Sequence, residues 1–132
     1  MTLAQFWRLM RWSLIYAAPR HVVTVSTSNG LLSFDSKDRL IGKHLYIRRE
    51  HEEREAREAI DLLREQGYLD KSPGETVLDV GANIGTACIG LLKAGYFTRA
   101  VAFEATPDNY RLLARNIDQN GLRGKILPFP FA

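Results

Sequence analysis

Thr76-Val-Leu-Asp-Val-Gly-Ala-Asn-Ile-Gly-Thr86 is the stretch that decides the fold. Val77, Leu78 and Val80 form a short apolar run, the pattern of a parallel central strand covered on both faces. Gly81 follows, where the backbone must turn. Gly85 comes four residues later, where a side chain would block a ligand or a close-packed neighbour. A helix then starts, its free N–H groups and positive dipole end facing whatever fills the turn. That setting suits an anionic or polar group.

Working outward, the next apolar run, Ala100-Val-Ala-Phe103, ends in Glu104, nineteen positions past Gly85. An acid at the tip of a second strand, at about this distance, is where a nucleotide-type fold grips ribose hydroxyls. Gly81, Gly85 and Glu104 together indicate an adenosine-bearing ligand. The dinucleotide pattern Gly-x-Gly-x-x-Gly is not met, since Asn83 sits between the glycines, and the absence of Gly-Lys-Ser/Thr excludes a P-loop. Each piece alone has a plainer explanation. A Gly-x-x-x-Gly turn is common packing, Glu104 can be a solvated strand end, and Asp79 can cap the following turn. Their combination at this spacing argues for a cofactor site.

The spacing Asp79-x-Gly81-x-x-x-Gly85 resembles motif I of class I S-adenosylmethionine-dependent methyltransferases. With Ala102-Phe-Glu-Ala-Thr-Pro-Asp-Asn-Tyr110 and Asn116-Ile-Asp-Gln-Asn-Gly-Leu122, the string from Val77 onward is similar to the FkbM-type branch. Ala105 departs from the proline usual in that family, while Pro107 still fixes the helix start. The resemblance implies a cofactor, S-adenosylmethionine, whose methionine end lies against the backbone of Gly81, Ala82 and Gly85. It implies that Asn83 hydrogen-bonds within the loop or to the ligand, that Asp79 helps hold the amino group, and that Glu104 takes both ribose hydroxyls. It further implies methyl transfer to a hydroxyl of a small molecule or sugar. The upstream region would flank the substrate opening, which makes His44 and Tyr46 candidate neighbours, although a surface histidine and a packing tyrosine is the preferred reading. No catalytic base is identified; it is expected past Ala132. The competing readings are a nicotinamide-dependent oxidoreductase and a non-catalytic half-domain that pairs through its open sheet.

Composition bounds these readings. At 132 residues the chain is one small domain at most, with ordinary apolar and charged fractions. A net charge of +3, unaccompanied by any nucleic-acid motif, does not call for DNA or RNA. The single cysteine, Cys88, excludes an internal disulfide and a thiol metal cluster, and His21 and His51 lack ligand spacing, so no metal is expected. A cytoplasmic setting is expected.

The predicted fold is α/β: a Rossmann-like class I methyltransferase sheet, incomplete at its first three strands, preceded by an N-terminal helix and a β-hairpin. Residues 1–20 form an amphipathic helix, 21–75 a hairpin and charged helix, and 76–132 the first half of the cofactor domain. In the first part, Leu3, Trp7, Met10 and Leu14 recur at helical spacing, with Phe6, Leu9 and Tyr16 widening the stripe. We read a helix packed on the domain or on a partner. The competing reading is an interfacial membrane helix over residues 1–16, anchored by Trp and Arg. Ser28-Asn-Gly30 supplies the hairpin turn. Asp35 to Gly42 reads as a polar loop and Leu45-Tyr-Ile47 as a short apolar patch. Arg48 to Arg64 reads as one charged helix with Ala56, Ala59, Ile60 and Leu63 buried, and Lys71-Ser-Pro-Gly74 as a turn. The last run, Lys125-Ile-Leu-Pro-Phe-Pro-Phe131, carries two prolines and therefore belongs at a sheet edge. The chain looks like an N-terminal fragment, and a sheet cut short there is expected to self-associate.

Overall fold

The computed structural model describes residues 1–51, 53–70 and 75–131. The turn expected over 71–74 lies outside them. Helix α1 (Leu3–Ala17) starts with a reciprocal cap: Thr2 Oγ1 accepts from the Gln5 N–H at 3.2 Å, and Gln5 Oε1 accepts from the Thr2 N–H at 2.8 Å. At its other end the Lys37 ammonium donates to the Tyr16 and Ala18 carbonyls, a cation where the helix dipole favours one. The expected inward stripe is corrected. Leu3, Trp7, Met10 and Leu14 all face solvent. The inward face is built on Trp12, which sits 6.3 Å from the Phe34 ring and 5.7 Å from Tyr46. Arg8, on the same side, donates to the Ile47 carbonyl at 3.1 Å. One large aromatic with a ready aromatic seat outweighs four apolar residues without one.

Strands β1 (Val22–Thr27) and β2 (Gly30–Asp35) form the expected antiparallel hairpin. The polar loop and apolar patch expected next are instead partly a helix, α2 (Ile41–Arg48). Gly42 lets α2 press on the core: a Cβ there would lie 2.6 Å from Phe34 Cδ2. Arg49, left-handed at φ 67°, ends α2. The single charged helix expected from Arg48 is therefore broken, and α3 (Glu53–Glu65) begins after the break. Its expected buried face is also corrected. Ala56 and Ile60 are half-buried, while Ala59 and Leu63 are exposed. Polar contacts hold α3 instead. Arg64 donates to the Tyr96 carbonyl at 3.1 Å, and the Tyr96 hydroxyl donates to Asp61 at 2.7 Å.

The second sheet is parallel, in the order β3 (Thr76–Val80), β4 (Arg99–Phe103), β5 (Ile126–Phe129), with α4 (Thr86–Lys93) and α5 (Pro107–Gln119) as the crossovers. β5, with Pro128, is an edge strand as expected. Ala100, Ala102 and Ile126 are buried on the helix side. Among the described residues nothing covers the other face. The register lines up Leu78, Val101 and Leu127 in one row and Val80, Phe103 and Phe129 in the next. Leu78 is 66% and Val80 72% exposed, so β3 is not the strand covered on both faces that its apolar run predicted. The run is apolar on both sides because a parallel strand expects two layers; only one is present among the described residues.

Asparagine side chains join hairpin and sheet. Asn116 on α5 is fully buried. Its Oδ1 accepts from the Ser33 N–H at 2.7 Å, and its Nδ2 donates to the Ser33 carbonyl at 3.1 Å and the Ile84 carbonyl at 2.8 Å. One helical turn on, Asn120 repeats the pattern: Oδ1 accepts from the Leu31 N–H at 2.9 Å, and Nδ2 donates to the Leu31 carbonyl at 2.7 Å. Leu31 and Ser33 are alternate residues of one strand, so the two amides take the place of a neighbouring strand along β2. Asn116→Ala, which strands three buried backbone groups, is expected to cost about 2–4 kcal/mol in urea unfolding. A loss below about 1 kcal/mol would show that these bonds do not hold the layers together.

Candidate cofactor site

The turn between β3 and α4 is set by its backbone. Gly81 (φ 79°), Asn83 (φ 52°) and Gly85 (φ 89°) are all left-handed, which asparagine tolerates better than most residues. The two glycines serve different ends. A Cβ at Gly85 would meet Leu113 Cδ1 at 2.7 Å and Ile89 Cδ1 at 2.9 Å, so Gly85 allows α5 to pack close. A Cβ at Gly81 would meet nothing within 4 Å. Gly81 therefore fronts open space at the carboxyl end of β3, where ligands of open α/β sheets bind. Ala82 and Ile84 point inward and are buried.

Glu104 stands one residue past β4 and is 6% exposed. Its Oε2 accepts from the Asn83 N–H at 2.9 Å and its Oε1 from the Thr106 N–H at 2.8 Å. The carboxylate thus ties the glycine turn to the start of α5, where Thr106 makes no side-chain cap. Each oxygen still has acceptor capacity beyond its one N–H. The Gly81 and Ala82 N–H groups donate to the Phe103 carbonyl at 2.9 and 2.8 Å, which fixes the turn against β4. Asp79 Oδ2 accepts from the Cys88 N–H at 3.2 Å, within the first turn of α4. Burial and the nearby Asp79 push the Cys88 thiol well above its ordinary pKa, so it is a neutral core group.

The structure thus gathers Asp79, Gly81, Ala82, Asn83, Gly85 and Glu104 around one turn. Tyr46 lies elsewhere, packed on Trp12 with the Arg49 guanidinium 5.1 Å from its ring centre, and His44 lies 5.2 Å from the His51 ring. Among the described residues no group of three or more metal-ligating side chains occurs. Two residues support the turn in a role that sequence reasoning did not assign to them. Asn116 holds the Ile84 carbonyl, and Asn29 Nδ2 donates to the Thr86 carbonyl at 2.9 Å. A readable signal existed for Asn116: it lies between Leu113 and Ile117 on the buried stripe of α5, where a polar residue needs partners.

No family model matches the chain, and no curated protein sequence does. Solved structures do. PH0793 of Pyrococcus horikoshii, described as a transferase, is similar with a TM-score of 0.57 at 17% identity, over 83% of this chain and 36% of that one. P. horikoshii TYW2, in complex with MeSAdo, scores 0.43 at 24% identity over 52% of this chain and 25% of its own. Streptococcus pneumoniae Sp1610, described as a tRNA (m1A22) methyltransferase, scores 0.41 at 27% identity over 53% of this chain and 30% of its own. The last two overlap too little to add to the first, and the first is a likeness of fold. The chain spans about a third of the length of PH0793. Helix, hairpin and parallel three-stranded sheet make an α/β, Rossmann-like architecture.

The separate roles of the glycines are testable. Both alanine variants carry left-handed strain of about 1 kcal/mol, but only Gly85→Ala adds overpacking of about 1–3 kcal/mol. Gly85→Ala is expected to lower the urea midpoint clearly more than Gly81→Ala. Equal losses would contradict the packing role of Gly85.

Proposed function

We propose that the chain forms the cofactor-binding part of a methyltransferase of the FkbM type, with S-adenosylmethionine held at the turn between β3 and α4. The observation that carries this is the open space in front of Gly81, beside a buried carboxylate already aligned by two backbone N–H groups. In this reading the turn lets the methionine end approach the backbone. Glu104 directs its remaining lone pairs to the ribose hydroxyls, and Asp79 attracts the amino group. The bound cofactor supplies an electrophilic methyl; the chain's own part is to hold and orient it. The proposed acceptor is a hydroxyl of a small molecule or sugar. A cytoplasmic setting belongs to the same reading. What the structure itself gives is that, among the described residues, no helix is long and apolar enough to cross a membrane.

Calorimetric titration with S-adenosylhomocysteine tests the proposal. Binding is expected, with none for NAD, and Glu104→Ala should weaken it by about 2–4 kcal/mol. That variant also strips two N–H groups of their acceptor, so binding is measured well below its Tm. Unchanged affinity would remove Glu104 from the site, and NAD binding without S-adenosylhomocysteine binding would replace the reading by an oxidoreductase.

The bare face of the sheet favours a second, compatible reading, that of a half-domain completed by further secondary structure. Leu78, Val80 and Leu127 are more than half exposed, and Phe103, Phe129 and Phe131 cluster with ring centres 5.5–5.9 Å apart. We propose that in the 132-residue chain a second copy covers this face. Light scattering at concentrations on the order of tens of micromolar is expected to show association, relieved by combining Val80→Lys with Leu127→Lys. A monomeric wild-type chain would contradict it.

A further inference from the structure

We propose that the groove between the start of α1 and α2 binds the phosphate groups of a phosphorylated small molecule, which, resting on the proposed cofactor site, is the methyl acceptor. The groove encloses about 650 Å³ and is lined by Arg39, Lys43, His44 and Arg48, with no acidic side chain among its described lining residues. That volume suits a ligand of metabolite size. Among the described residues none of Arg39, Lys43 and Arg48 takes part in an ion pair. Elsewhere the pattern is the reverse: Arg20, Arg54, Arg64, Arg111 and Arg123 each lie beside a carboxylate. The Arg39 guanidinium lies over the Tyr16 ring, 5.7 Å from its centre, a face contact that leaves its N–H edge for a ligand. Cations gathered without a carboxylate repel one another, and an anion between them relieves this. Phosphate oxygens can take the forks of two arginines and a lysine ammonium together.

The groove adjoins the junction between α2 and α3, and that junction sits beside the glycine turn. Helix α3 packs on α4. At one end Arg64 of α3 donates to the Tyr96 carbonyl, just past the end of α4. At the other, Asn29 Nδ2 donates at 2.9 Å both to the His51 carbonyl, just before α3, and to the Thr86 carbonyl, on the first residue of α4. The two helices therefore run side by side in one direction, and α3 starts at the level of the turn, at the carboxyl end of the sheet. The His44 ring lies 5.2 Å from that of His51, and His44 and Arg48 also line a smaller pocket with His51 and Arg54. Glu50 and Glu55 border that second pocket, where Arg54 lies 3.7 Å from Glu55. Burial, with Arg48 and His51 nearby, holds His44 below its ordinary pKa, so Arg39, Lys43 and Arg48 supply the groove's charge at neutral pH. Glu104 is tied to the start of α5, on the other flank of the turn, so adenosine and acceptor would reach it from different sides. A membrane or an RNA strand is met by cations spread over an open face, whereas these converge in one groove.

Calorimetric titration of the intact chain with inorganic pyrophosphate, at fixed ionic strength, tests this. Saturable binding is expected, at least about tenfold tighter than that of sulfate or malonate. Arg39→Gln with Arg48→Gln, at two exposed positions, should weaken it at least about tenfold, and Lys43→Gln alone about fivefold. Arg123→Gln, which removes one charge outside the groove, should leave it unchanged. Far-UV circular dichroism checks the fold of each variant. No binding, or binding that survives Arg39→Gln with Arg48→Gln, would overturn the proposal. Sulfate bound as tightly as pyrophosphate would mean an adventitious ion only, and malonate bound as tightly would mean a carboxylate site. Tighter binding of polyuridylate or of phosphatidylglycerol vesicles would assign the cations to RNA or to a membrane. Each of these results overturns it. S-adenosylhomocysteine affinity is expected to be unchanged in the double variant, and pyrophosphate affinity unchanged in Glu104→Ala, so the two sites fail separately. Pyrophosphate binding without S-adenosylhomocysteine binding would keep the phosphate site and overturn its assignment to a methyl acceptor.

Discussion

The side-chain amide of Asn116 is the contact on which the arrangement depends. It is fully buried and joins three parts of the chain far apart in sequence: the β2 strand through Ser33, the glycine turn through Ile84, and its own helix α5. A buried amide without partners would be strongly unfavourable, so its satisfaction specifies one relative placement of hairpin and sheet. Asn120 and Gln119 extend the contact along Leu31, and Asn29 ties the hairpin turn to α4. The hairpin thereby becomes a wall against the crossover helices, and one apolar cluster runs from Trp12 and Phe34 through Ile84 and Leu113 to Ile126.

That wall supports the turn at which a cofactor is proposed to bind. Left-handed backbone at Gly81, Asn83 and Gly85 is tolerable because each side of the turn is held. Phe103 accepts from its first N–H groups, Glu104 from Asn83, and Asn116 supports the Ile84 carbonyl. Glu104 is held by two backbone N–H groups, and under the proposed function this alignment would lower the reorganisation that cofactor binding requires. Its burial is tolerable because two backbone N–H groups face it. Glu104 is therefore a structural clamp of the turn, and under the proposed function cofactor affinity and loop stability would share one side chain.

Among the described residues two apolar surfaces remain uncovered, and they differ in kind. The sheet face of Leu78, Val80, Phe103 and Leu127 is flat and ordered by strand register, the shape that a layer of helices covers in a doubly wound fold. The ridge on α1 is narrow and contains a tryptophan. Apolar area alone makes both sticky; shape separates them.

Sequence alone determined what is local. The strand–turn–helix at Thr76 to Thr86, the hairpin at Ser28-Asn-Gly30, Pro107 opening α5 and Pro128 at an edge all follow from backbone preferences that neighbours set within a few residues. So did the set of residues gathered at the turn, because Asp79, Gly81, Asn83 and Gly85 are contiguous and Glu104 ends the paired strand. Tertiary structure decided what depends on distant partners. Which face of α1 turns inward was settled by Trp12 finding Phe34 and Tyr46, since a helical stripe states that a face is apolar and not what covers it. Helix α2 depends on Gly42 meeting Phe34, and the bare side of β3 on which layers are present. The different duties of the two glycines are invisible in their spacing, because a missing Cβ reads the same whether it makes room for Leu113 or opens onto empty space.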